Sequence, residues 1–137
     1  MYNFLLMAHS GWRWIVLIVV VFMMVRVIVG WLAKQKWTNL ESRLIRFTHI
    51  IVAFQILLGI ILYIFFLING GMGRSIGAFT GSHVVPAILA YGGVAFAAVR
   101  SKKMSDDVDK YKYASFGFIF AILMIYGALV TVGGIFA

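Results

Sequence analysis

The chain has no cysteine, one proline and only four acidic side chains among 137 residues. Without cysteine there is no disulfide, no thiolate metal ligand, no C-x-x-C redox pair and no C-x-x-C-H haem attachment. Any redox group is therefore held without a covalent bond. The few carboxylates, Glu41, Asp106, Asp107 and Asp109, all read as belonging to polar connectors. That leaves no membrane-embedded carboxylate, which counts against proton-driven transport.

What the chain does have is apolar surface, at 64% hydrophobic residues. A spanning helix needs about 20 mostly apolar residues, and the stretches 5–33, 47–68, 83–100 and 113–136 qualify. The expected fold is all-α, a single integral membrane domain with helices over 5–33, 39–68, 83–100 and 105–136. Short connections favour neighbours that run in opposite directions, which predicts an antiparallel four-helix bundle. The start, Met-Tyr-Asn-Phe, has no basic n-region, and the first apolar run exceeds a signal-peptide core, which argues against a cleaved leader.

A net charge of +8 suggests nucleic acid until its distribution is examined. Lys34, Lys36, Arg43 and Arg46 fall between the first two runs, and Arg100, Lys102, Lys103, Lys110 and Lys112 between the last two. Positive connectors face the cytoplasm. Both termini are then expected on the outer side of the cell's inner membrane. Topology and anionic lipid account for the basicity, and no nucleic-acid partner is predicted.

Local signals mark the helix ends. Trp37 reads as an interfacial anchor. Thr38-Asn39-Leu40-Glu41 matches a capping box at the start of helix 2, and Asn69-Gly70-Gly71 a glycine C-cap at its end. Ser82 is expected to cap helix 3, leaving His83 in its first turn and Pro86 where a missing N–H does little harm. Ser105 is expected to cap helix 4, with Asp106 and Asp107 in its acidic first turn. Small residues mark interior faces in lipid: Ala53 on helix 2, Ala87, Ala90 and Ala97 on helix 3, Gly117 and Ala121 on helix 4. Plain packing explains such stripes equally well.

The three histidines, His9, His49 and His83, each sit near the start of an apolar run. Ionisable groups in lipid are costly and mark functional sites by default, and imidazole ligates haem iron. Helices 1 and 3 share a direction, so His9 and His83 form the preferred axial pair for a haem b. The fit is imperfect. His83 stands roughly 26 Å above Arg100 and His9 roughly 37 Å above Lys34, an offset of about 11 Å before tilt or a bend at Gly11. Arg13, one turn after His9, suits a haem propionate, or snorkels to headgroups. Arg26 reads as snorkelling inward, with a buried anion or quinone headgroup as the alternative. His49 is a third candidate ligand with Met23, Met24 or Met124, a quinone site, or interhelical glue like Gln55.

The segments His9-Ser10-Gly11-Trp12-Arg13-Trp14, Thr48-His49 with Gln55-Ile56-Leu57-Leu58-Gly59, and Ser82-His83 with Ala87 resemble the small four-helix membrane proteins of Bacteroidota commonly labelled cytochrome B. The likeness extends through Trp31-Leu32 and Arg100-Ser101-Lys102-Lys103, and the Gln55–Gly59 and His83–Ala87 pieces also look faintly like the haem-bearing helices of haem A synthase. The resemblance implies a b-type haem protein, or a membrane partner in respiratory electron transfer, and points to His9, Arg13, His49 and His83. The expected function is an electron relay linked to a quinol pool, a carrier or subunit rather than a complete enzyme. Its expected partner is a second membrane redox protein or another copy of the chain. The alternatives are an accessory subunit with no cofactor, and a quinone, copper or zinc site.

Overall fold

The computed structural model describes residues 1–131, all of them in helices and connectors with no strand among them. Four helices are each long and apolar enough to cross a membrane: α1 (Tyr2–Leu32), α2 (Asn39–Ile68), α3 (Ile76–Lys103) and α4 (Asp107–Val130). The expected extension of the last helix to 136 lies outside the described residues.

Contacts along each helix pair follow a consistent order. Tyr2 meets Phe65, Trp12 meets Phe54, and Arg26 meets Glu41 between α1 and α2. Between α3 and α4, His83 meets Ala128 and Phe96 meets Tyr113. Early residues of one helix thus face late residues of its neighbour. Val20, Val27, Val94, Ala97, Phe118 and Ala121 make up the most enclosed part of the core. The expected small-residue faces are buried at Ala90, Ala97, Gly117 and Ala121, but Ala53 and Ala87 are only half-buried.

The closest backbone approach falls at Gly93 and Gly117. A Cβ on Gly93 would lie 2.6 Å from the Gly117 carbonyl oxygen, and one on Gly117 2.5 Å from the Gly93 oxygen. Without side chains the two backbones touch, which is how helices gain packing contact in lipid.

Helix ends follow local chemistry. The Thr38 backbone N–H donates to the Glu41 carboxylate at 2.9 Å, and the capping box is present. Gly70 (φ 66°) and Gly71 (φ 90°) end α2 in the left-handed region, with Gly71 N–H donating to Phe66 O at 2.9 Å. Two expected caps are corrected. Ser75, not Ser82, caps α3 by accepting from Ala78 N–H, so the helix starts at Ile76, well before residue 83. Ser82 lies inside the helix and its hydroxyl donates back to Ala78 O at 2.6 Å. At α4 the cap is Asp106, which accepts from Val108 N–H at 3.0 Å, rather than Ser105. Aspartate offers a charged acceptor one residue nearer the helix, where the N-terminal dipole favours it.

Candidate functional site

His9 is seated by α2. The Gln55 side-chain amide donates to the His9 backbone carbonyl at 3.0 Å, and the Trp12 indole N–H donates to Ile51 O at 2.9 Å. These bonds cross-link the first turns of α1 to the middle of α2. Gly59 provides the seat for the ring: a Cβ there would lie 3.1 Å from His9 Cε1. His9 Nδ1 and Gln55 Oε1 are both buried without a hydrogen-bond partner.

His83 sits on a backbone irregularity. Residues Thr80–Val84 form a π-turn inside α3, with Val85 N–H donating to Thr80 O. Pro86, two residues into the following α-helical segment, has no N–H to give Ser82 O, four residues back. The Thr131 hydroxyl lies 3.3 Å from the Ser82 carbonyl and 2.8 Å from Ala128 O, and can donate to one at a time. Such turns often occur at functional sites. Across the helix pair, His83 Nδ1 is 2.8 Å from Ala128 O. A carbonyl only accepts, so Nδ1 carries the proton, and in the neutral ring Nε2 keeps the lone pair. Phe79 stacks on the ring at 5.1 Å.

The fold brings His83 within electrostatic reach of His9. Arg13, on the same face of α1, also lies within electrostatic reach of His9, with its guanidinium 5.6 Å from the Trp14 ring centroid. His49 is elsewhere. Its Nε2 shares a 2.9 Å hydrogen bond with the Tyr91 hydroxyl, so it meets a phenol rather than a methionine sulfur. Met23 is buried in the core.

Arg26 meets a buried anion, one that the chain itself supplies. Its Nη2 donates to Glu41 Oε1 at 2.9 Å, and Glu41 is only 5% exposed. Glu41 is therefore an ion-pair partner at the start of α2 and not a solvated connector residue. Around this pair the Tyr111 hydroxyl donates to Lys36 O at 3.0 Å, and Trp37 donates to Ser42 Oγ and packs edge-on against Tyr111. Trp37 is thus part of a polar cluster as well as near the helix end.

Sequence reasoning missed Tyr91 and the Ala128 carbonyl, and quoted Gly59 only inside the Gln55–Gly59 segment. The role of each is defined by what an adjacent helix places against it. Among the described residues no three His, Cys, Asp or Glu side chains gather as a metal site. A groove of about 350 Å³ lies between α3 and α4, and a hollow of about 260 Å³ near Arg74 and Thr131; neither is lined by a histidine. Compared with known protein families, curated proteins and solved structures, the chain matches none.

Proposed function

We propose that the chain is an integral membrane antiparallel four-helix bundle that carries electrons through a b-type haem held between His9 and His83. The membrane reading is supported by large apolar side chains on the outward faces, such as Ile18, Phe22, Phe47 and Leu123, each more than half exposed. Water would penalise such a surface and hydrocarbon does not. The order of contacts along each helix pair supports antiparallel neighbours. The basic connectors support a cytoplasmic side at that end, with both termini outside the inner membrane.

One feature carries the haem reading: His9 and His83, on different helices, are near enough for their charges to interact. A haem needs only two axial ligands from the chain, whereas zinc sites usually take three or four protein ligands. No such larger set gathers among the described residues. The His83 Nδ1–H bond to Ala128 O orients the ring and leaves Nε2 as the donor, the usual arrangement behind a ligating imidazole. Gln55 holds the His9 backbone in place, Gly59 keeps the ring's flank clear, and Arg13 can pair with a carboxylate. When bound, the haem supplies one-electron chemistry through iron valence change. No side chain is assigned a catalytic step, which suits a carrier or subunit partnered by another membrane redox protein.

The test is a reduced-minus-oxidised spectrum of the purified protein, loaded with haem if isolated without it. Soret and α bands are expected in wild type and His49→Ala, and their loss in His9→Ala and His83→Ala. Absence of bands in loaded wild type overturns the reading. A second reading, an accessory subunit with no cofactor, draws on the fact that no histidine lines either hollow. It predicts co-purification with a larger membrane complex that survives replacement of all three histidines by alanine.

A further inference from the structure

We propose that the outward groove between α3 and α4 binds one anionic phospholipid, with an acyl chain in the groove and the phosphate on Arg100 and Lys112. The groove, about 350 Å³, has Leu89, Gly92 and Phe96 on one side and Phe116 and Phe120 on the other. Its floor is the Gly93–Gly117 contact, where the helices come too close for any side chain to fill the space. A chain of methylenes is the shape that such an apolar trough accepts.

Tyr113 closes the basic end. Its ring lies 6.4 Å from Phe96 and 6.1 Å from Phe116, both groove residues. The Arg100 guanidinium sits 5.1 Å from the Tyr113 centroid and the Lys112 ammonium 5.9 Å. Neither cation has a carboxylate at ion-pair distance among the described residues, in contrast to Arg26. Two positive charges held on one aromatic ring at the mouth of an apolar trough complement a phosphate attached to a hydrocarbon tail.

Lengths agree. Leu89 to Arg100 spans about 16 Å of helix, close to half of a hydrocarbon core about 30 Å thick. The tail therefore occupies one leaflet while the cations reach its headgroup plane. This inference rests on the membrane part of the proposed function and is independent of haem.

The experiment reconstitutes the full chain in vesicles of equal phosphatidylglycerol and phosphatidylcholine, then reads retained lipid by native mass spectrometry after transfer to detergent. Wild type is expected to retain phosphatidylglycerol over phosphatidylcholine by about tenfold, in keeping with two cations near a membrane surface. The Arg100→Gln/Lys112→Gln double variant is expected to lose that preference. Lys34→Gln/Lys36→Gln, which removes the same charge from the other connector, is expected to keep it. Gly92→Phe adds a ring at the trough wall, where a Cβ meets nothing within 4 Å; with the helical circular dichroism unchanged, it is expected to cut retention of both lipids. Equal retention of the two lipids by wild type overturns the site, as does equal loss in both charge variants or full retention in Gly92→Phe. Failure of wild type to enter vesicles overturns the membrane reading instead.

Discussion

Late in α1, Arg26 reaches Glu41 of α2 at 2.9 Å, whereas early in α1 His9 Nδ1 and its neighbour Gln55 Oε1 are buried with no partner. The two regions lie on the same pair of helices. In the first, Glu41 also accepts from Thr38, and Tyr111 and Trp37 make further bonds nearby, although Arg26 Nε is itself buried without a partner. In the second, Gln55 spends its amide on the His9 carbonyl and leaves its own oxygen without a donor. A buried polar atom without a partner costs roughly 1–3 kcal/mol. The Arg26 region stabilises the fold with the side chains it has. The His9 region leaves both His9 Nδ1 and Gln55 Oε1 unpartnered, with no ion pair among the described residues to offset them.

The largest test of this contrast is Glu41→Ala, which strands the Arg26 charge. Breaking a fully buried pair costs about 3–5 kcal/mol. With Arg26 a third exposed, a loss of about 2–3 kcal/mol is expected, read as a lower unfolding midpoint in detergent. Gly59→Val is next, because its side chain meets the His9 ring; overpacking of this kind costs about 1–3 kcal/mol. In haem-loaded protein its Soret band is expected to shift or weaken while circular dichroism keeps the helical signal. Tyr111→Phe removes one hydrogen bond from the Arg26 region and is expected to cost about 1 kcal/mol in the same melt. Smallest is Gln55→Leu, which removes a bond and an unpartnered oxygen together. Its midpoint is expected to stay within about 0.5 kcal/mol of wild type. A large loss there would erase the distinction between the two regions.

Sequence and structure agree where the signal is local. The four apolar runs are legible because lipid demands about 20 apolar residues in succession. The Thr38–Glu41 capping box is legible because its partners are three residues apart. The start of α3 was misread for a related reason: Ser82 before His83 and Pro86 looks like a cap, yet Ser75 performs that role and the glycine-rich segment after it stays helical. Arg26–Glu41 was hidden because its partners meet only once a connector folds back. His83 with Ala128, and His49 with Tyr91, depend likewise on which helices become neighbours, and no spacing within one helix encodes that.

The π-turn at Thr80–Val84 amounts to an α-helix that has gained one residue. Deleting Gly81 would let the segment wind back to regular pitch while the helix on either side kept its orientation, because the wide turn already absorbs the extra residue. Phe79 would then stand three residues before the imidazole instead of four, while Pro86 and Ala128 stayed where they are. The spacing between that ring and the histidine is thus set by a head-count of the chain, and a single lost codon would change it without replacing either residue.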